Sequence, residues 1–592
     1  PSDRAEPSEA LQATVAWCLG LEDPVVLLSG RQSSAFCAGL PVEPEPTLNG
    51  QRCAYFVKTG FTLPPKEEKS WRLIADIGLG PSELPALLEC ISGGIDAEDV
   101  EADIDSGTQH LVQLAGRADG CQLTDDELAA ARHFTNTMFN IMRGGVFADE
   151  YRIRHDDFLA FVARWNKPLC ERFGGLLEKQ PDPLSRDALF SIVDATGDAH
   201  LIRLALEYLP LTFSRRHGDP SRPWNDFNID TQGSQGRDRL HYQGNWRDIF
   251  QNWEALAISY PEFINSFISK FVNASTVDGF NPYRISSDGI DWEELDPDDD
   301  WSNIGYWGDH QVNYLTGLLE FSHGYFPQQI SSLLGQDLFV YADVPYRIKC
   351  YQALLEDPRN SIEFDQDSAR QSERRFCEIG ADGKLVTLSN GSIYRVNLLE
   401  KLLVTILGKL GSFVPGGGIW MNTQRPEWND ANNALAGFGL SIVTLSYLRR
   451  LMNSLKHYVS EASAGSFLIS NEIELFFREV DQLLSCKADA IDDTVSNCGR
   501  KDFMDRMGAV ASDYRARAYA GFTGSRTALN KDELLAFLDT ALRHVDFTLG
   551  LSRRPDGFFH SYNIIRIGKT EYRVRHLSEM LEGQVAVLSL IH

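Results

Sequence analysis

From about residue 215 onward the chain repeats one pattern: long stretches with apolar residues every third or fourth position, separated by long polar, glycine-rich loops. The stretches are WRDIFQNWEALAIS (246–259), PEFINSFISKF (261–271), HQVNYLTGLLEF (310–321), NLLEKLLVTIL (397–407), NNALAGFGLSIVTLSYLRRL (432–451), EIELFFREVDQLL (472–484) and KDELLAFLDTALRHV (531–545). Each reads as one continuous helix with an apolar stripe. Such a stripe has to be buried against another layer, so the region is constrained to helix packed on helix. Loops of this length are uncommon in compact domains unless they carry function.

The 592 residues exceed what one ordinary core organises, and roughly two to four domains are expected. Residues 1–104 carry short strand-like runs, PVVLL (24–28), CAYFVK (53–58) and WRLIAD (71–76), with a short helix at ELPALLEC (83–90). They read as a β-rich segment, the end of a β-sandwich. Residues 105–214 turn helical and read as a linker, with Thr124 or Asp125 as cap of its second helix. Residues 215–592 form the large helical domain, interrupted near 356–396 by an insertion whose KLVTLSNGSIYRV (384–396) places Asn-Gly in a hairpin turn. The chain opens on Pro-Ser-Asp without Met and closes on the apolar VAVLSLIH (585–592), so a piece of a longer polypeptide, truncated at the C-terminus, is expected.

Charge and motif narrow the chemistry. A formal charge of -27 disfavours a nucleic-acid groove, which needs a basic stripe. No apolar run approaches the ~18 residues of a membrane span. The ten cysteines show no zinc spacing, which fits reduced thiols and a cytoplasmic location. Neither a nucleotide-binding glycine fingerprint nor a G-x-S-x-G elbow occurs, and no metal or cofactor is expected.

What does recur in the loops is carboxylate, tryptophan, amide and arginine: WNDFNID (224–230), GNWRD (244–248), DGIDWEE (288–294) with DPDDDW (296–301), GYWGDHQ (305–311) and RPEWNDANNALAG (425–437). That mixture suits sugars, whose faces stack on tryptophan and whose hydroxyls need paired donors and acceptors. Inverting cleavage of a glycosidic bond needs a protonated carboxyl group and, for hydrolysis, a carboxylate about 6.5–9.5 Å away that activates water. Asp430 follows Trp428 and is the candidate acid, since partial desolvation keeps a carboxyl group protonated. Its competing role is a helix cap. Asp309 and His310 share that ambiguity. Trp246, Trp292 and Trp307 are candidate sugar platforms or core residues, Arg247, Arg284 and Arg425 clamps for a hydroxyl or an anion or else surface ion pairs, and Asp298 to Asp300 a site for a cation or sugar hydroxyls or else a solvated loop.

Residues 236–437 resemble the catalytic domain of the cellobiose and chitobiose phosphorylase-like family and the related inverting (α/α)6-barrel glycosidases. The family motif Gly-Asp-Trp-Asn-Asp-Gly-Met-Asn is matched by Pro426-Glu427-Trp428-Asn429-Asp430-Ala431-Asn432-Asn433, with Glu in place of Asp and Ala in place of Gly. The resemblance implies a mainly α fold, an (α/α)6 barrel preceded by a sandwich-like segment and a helical linker. It implies Asp430 as general acid, with Glu427 and Trp428 in the adjoining wall. It assigns Trp246, Arg247 and Asp248 to the donor-sugar pocket and likens Asp278-Gly279-Phe280 to the loop after the second barrel helix. Trp307, Asp309 and Arg425 complete the substrate-binding set. The family's phosphate-binding histidine and glycine-rich segment would lie near or beyond this C-terminus, which leaves the reaction type open. The leading expectation is therefore an inverting glycoside hydrolase acting on an oligosaccharide or β-glucan, with Glu579, or Glu582 beside it, as base. The alternatives are a phosphorylase using inorganic phosphate as co-substrate and a non-catalytic glycan-binding module. Neither nucleic acid nor membrane is an expected partner, and a homodimer is an assembly the reading allows.

Overall fold

The computed structural model of the chain describes residues 13–81, 83–143, 147–211, 240–281, 284–292, 311–421, 435–487 and 491–588. Their contacts divide the chain into two units, Pro1–Gln113 with Pro220–Trp224, and Leu114–Asp219 with Asn225–His592.

In the first unit, β1 (Ala13–Leu19) pairs antiparallel with β4 (Arg72–Leu79), setting Trp17 opposite Ile74. β2 (Val25–Leu27) pairs antiparallel with β3 (Phe56–Lys58). The three strand-like runs thus form strands, but in two separate two-stranded sheets; the described residues do not stack them into a sandwich. Helix α1 (Glu83–Gly93) follows, as its sequence predicts, and then α2 (Ala97–Arg117).

The second unit is mainly helical. α3 (Glu127–Arg143) begins later than its sequence suggests, and its cap is Asp126, whose Oδ1 accepts the Leu128 and Ala129 N–H groups at 3.0 and 3.1 Å. Thr124 and Asp125 fall outside the cap position because the first helical residue is Glu127. Four short helices come next: α4 (His155–Trp165), α5 (Lys167–Phe173), α6 (Arg186–Asp194) and α7 (Ala199–Glu207). They enclose their own core around Phe158, Phe161, Leu189 and Leu204. Chain entry and exit lie together, since Phe147 bridges antiparallel to Leu211 and Ala148 N–H donates to Pro210 O at 2.9 Å. Such closed ends are what a domain inserted into another element order requires.

The body begins with β5 (Gln243–Asn245), α8 (Trp246–Ser259) and α9 (Ile264–Asn273). β6 (Arg284–Ser286) and β7 (Gly289–Asp291) extend β5 into a three-stranded antiparallel sheet. After α10 (Gln311–Tyr325), the segment 339–396 contributes strand pairs β8 (Phe339–Val340) with β11 (Arg395–Val396) and β9 (Tyr346–Ile348) with β10 (Ile362–Phe364), and α11 (Gln366–Ile379). The predicted hairpin is present: Thr387 bridges Ile393, and Gly391 turns the chain at a φ of 81° that only glycine adopts without strain.

α12 (Leu398–Leu410) is apolar on nearly every face and buried accordingly, capped by Asn397, which accepts the Glu400 N–H at 2.9 Å. β12 (Phe413–Val414), β13 (Gly418–Trp420) and β14 (Gly439–Ser441) precede α13 (Ile442–Glu461). The run 432–451 is therefore not one helix. Gly437 has a φ of 76°, and a Cβ there would stand 2.6 Å from Pro358 O, so the backbone turns, forms β14 and enters α13 only at Ile442 under a Ser441 cap. β15 (Ser466–Ser470) pairs with β16 (Arg526–Asn530) around α14 (Asn471–Lys487) and α15 (Asn497–Tyr519), and α16 (Lys531–Leu551) follows. β17 (Tyr562–Ile567) and β18 (Tyr572–His576) complete a five-stranded sheet in the order β12-β13-β14-β17-β18, and α17 (Leu581–Leu588) ends the described chain.

Side-chain pairs fix the helix directions. Glu320 of α10 binds Arg450 of α13, its Oε1 accepting from Nε at 2.6 Å, while His323 meets His457 further along both helices. α10 and α13 are therefore parallel. Glu254 of α8 lies over Gly317 of α10, and Tyr325 OH donates to Ile258 O, so α8 and α10 are parallel as well. α16 runs antiparallel to α13, through Arg449 with Asp546 and Lys456 with Asp539.

Candidate active site

The three parallel helices α8, α10 and α13 each follow a loop or strand carrying predicted site residues. Trp246, Arg247 and Asp248 occupy the first turn of α8. β5 sets Asn245 opposite Arg284 and Gly244 opposite Ile285, which brings the start of the GNWRD stretch alongside β6. The side chains of Trp246, Arg247, Asp248 and Arg284 lie outside the described residues. So do Trp307, Asp309 and His310, which directly precede α10, the acidic run 298–300, and Arg425, Glu427, Trp428 and Asp430, which lie between β13 and β14.

The frame around that last segment is described. Met421 N–H donates to Gly439 O at 3.0 Å and closes its base. Met421 and Leu435, at its two ends, pack with Val443, Tyr562 and Ala586, and Met580 packs against them. Glu579 adjoins Met580, in a loop between β18 and α17 and not in a helix. It is solvent-exposed and ion-paired with Arg554, whose guanidinium also holds Asp556 at 2.7 Å. The Arg554 pairing keeps the Glu579 carboxyl below the usual carboxylate range.

Beside this loop stands a histidine pair that periodicity and spacing do not reveal. The rings of His560 and His576 stack at 3.8 Å, and His576 Nδ1 lies 2.7 Å from Asn563 Oδ1. Burial pushes both imidazoles below their ordinary pKa, His560 further through the neighbouring His576 and Arg554. Only the pairing of β17 with β18, which sets Asn563 opposite His576, brings them together.

The inserted four-helix domain supports the β5-β6-β7 sheet from behind. Trp165 Nε1 donates to Ser287 O at 2.9 Å and Arg164 pairs with Asp288 at 2.8 Å, both on the β6–β7 turn. Beneath them Lys270 of α9 is buried with its ammonium 4.1 Å from the Trp165 ring centroid, and burial drives its pKa down to about 8. A buried polar network adds to the junction. Arg203 donates to Glu207 at 2.9 Å and to Asp382 at 2.7 Å, Asn166 donates to Asp382 at 2.8 Å, and Asn273 of α9 donates to Glu207 at 2.7 Å.

Two further predicted residues have structural partners. Asp278, in the turn after α9, is buried and accepts from Tyr519 OH at 2.5 Å and from the Thr276 hydroxyl. Lys384 places its ammonium 4.6 Å from the centroid of the Trp292 ring and occupies one face of that candidate platform.

Comparison with known families places a boundary on this architecture. Residues 147–210 match the model of glycoside hydrolase family 149 insertion domain 1, which spans the segment closed by the Phe147–Leu211 bridge. No curated protein matches the chain. The chain thus carries a glycoside hydrolase family 149 insertion domain, inside the stretch read from sequence as a linker, and is on that match a carbohydrate-active enzyme.

Proposed function

We propose that the protein cleaves a glycosidic bond in an oligosaccharide or β-glucan with inversion, on a helical body that belongs to an (α/α)6 barrel. The observation that supports this reading is the parallel packing of α8, α10 and α13, which turns the starts of three helices toward one end of the bundle, each start carrying or following in sequence a tryptophan- and carboxylate-rich segment. Asp430 is the general acid and protonates the leaving oxygen. Trp246, Trp307 and Trp428 stack on sugar rings, while Arg247, Asp248, Asp309, Arg425 and Glu427 bind hydroxyls. Water, activated by a carboxylate from the late part of the chain, attacks the opposite face of the ring.

Glu579 is the candidate base, and its pairing with Arg554 supports a second reading. A base must accept a proton in the transition state, and a carboxylate held low by a guanidinium accepts it poorly. Phosphorolysis removes that demand, because inorganic phosphate is itself the nucleophile. The test is product analysis from α- and β-linked oligosaccharides with and without phosphate, for the protein and for its Asp430→Asn and Glu579→Gln variants. Hydrolysis predicts phosphate-independent cleavage lost in both variants. Phosphate-dependent release of a sugar 1-phosphate, lost in Asp430→Asn and kept in Glu579→Gln, selects the second reading. Glycan binding without turnover in any arm contradicts both and leaves a binding module.

A further inference from the structure

At their C-terminal ends, α10 and α13 bring His323 to a His457–Glu461 pair far from it in sequence. His323 lies in the last turn of α10, and His457 and Glu461 lie one turn apart at the end of α13. Their ligand atoms lie within 4.8 Å of one another. The two imidazole Nε2 atoms stand 3.2 Å apart, and His457 Nε2 stands 3.3 Å from Glu461 Oε1. With metal–nitrogen and metal–oxygen bonds of about 2.0–2.2 Å, ligand atoms of a tetrahedral zinc ion are separated by about 3.3–3.6 Å. Both edges are close to that geometry without rearrangement.

The surroundings favour a cation. α10 and α13 are parallel, so both present the negative ends of their macrodipoles at this point. His323 Nδ1 is buried and has no hydrogen-bond partner among the described residues; it faces Glu461 Oε2 at 3.9 Å. Binding through His323 Nε2 puts the proton on Nδ1, on the side that faces the Glu461 carboxylate, where it opposes no positive charge. His457 and Glu461 are exposed, which leaves an open path for the ion. Two imidazoles and one carboxylate suit zinc and its neighbours and not calcium or magnesium, which take oxygen ligands.

We propose that His323, His457 and Glu461 form a transition-metal site of the zinc class that staples the ends of α10 and α13. The twelve residue-to-residue rises from Gln311 to His323 put it about 18 Å along α10 from the start of that helix, which a candidate substrate-binding segment precedes in sequence. Its role is therefore to fix the spacing of two helices, not to take part in bond cleavage. His323 and His457 are separated by 134 residues, so no spacing motif joins them.

The test is calorimetric titration of the metal-stripped protein with zinc chloride in the presence of a reductant, alongside thermal unfolding with and without zinc. The protein is compared with His323→Ala, His457→Ala and, as a control at an exposed histidine elsewhere, His110→Ala. The proposal predicts one zinc per chain lost on replacing either ligand, with affinity at that site falling roughly tenfold or more. It also predicts a zinc-dependent rise in Tm present in the protein and in His110→Ala and absent from both ligand variants. Equal zinc uptake and equal Tm shifts in all four proteins would assign the metal to other groups, such as the cysteines, and overturn it. Absence of zinc binding by the protein would overturn it as well.

Discussion

Arg203 shows what single residues decide here. It is fully buried, and its guanidinium holds the carboxylates of Glu207 and Asp382 at the junction between the insertion domain and the body. Removing one member of a buried ionic set leaves the others uncompensated, so Arg203→Ala is expected to cost about 3–5 kcal/mol in denaturant unfolding. Lys270 makes the opposite prediction. Its folded pKa of about 8 lies below its ordinary 10.5, so the unfolded chain holds the proton more tightly and burial of the charge costs stability below pH 8. That cost fades as pH rises from 8 toward 10.5. Lys270→Met should therefore raise Tm at pH 7, with the gain shrinking toward pH 10 in a pH series of melting curves. Neither residue was legible in the sequence. A lone Arg or Lys in a helical run reads as surface, and the partner Asp382 is 179 residues from Arg203.

Elements were legible where one period held without interruption. α8, α12, α14 and α16 follow their three-and-four apolar patterns, and the Asn390-Gly391 turn forms the hairpin that alternation predicts. The pattern failed at residues 432–451, where apolar residues continue while the backbone does not. Gly437 turns, β14 pairs with β13 and β17, and Ser441 starts the helix by accepting the Thr444 N–H at 2.9 Å. Ser441→Ala is expected to lose about 1 kcal/mol. Gly437→Ala should lose more, because a side chain meets both a left-handed φ and the Pro358 carbonyl. Thermal unfolding of the two variants ranks them. Gly437→Ala should also depress turnover, since it shifts the exit of the segment that carries Asp430, whereas Ser441→Ala should leave turnover nearly unchanged.

At the scale of the whole molecule, the tryptophan- and carboxylate-rich segments were legible and the directions of the helices that follow them were not. Tryptophan, carboxylate and arginine cluster in the sequence, but helix direction is set by pairs such as Glu320–Arg450 and Tyr325–Ile258, which no local pattern encodes. The insertion domain was hidden for a related reason. Short amphipathic helices look alike whether they link or insert, and only the Phe147–Leu211 bridge and the family match distinguish the two. In the resulting account, the insertion domain buttresses the β5-β6-β7 sheet, the sheet sets the start of α8, and the three parallel helices α8, α10 and α13 begin at one end of the bundle. The central claim is inverting cleavage with Asp430 as acid. It is tested most directly by time-resolved proton NMR of the first products released from a β-linked oligosaccharide. The account predicts an α-configured product at the earliest times, free sugar or sugar 1-phosphate, and its disappearance in Asp430→Asn. A β-configured first product, or undiminished turnover in Asp430→Asn, would contradict it.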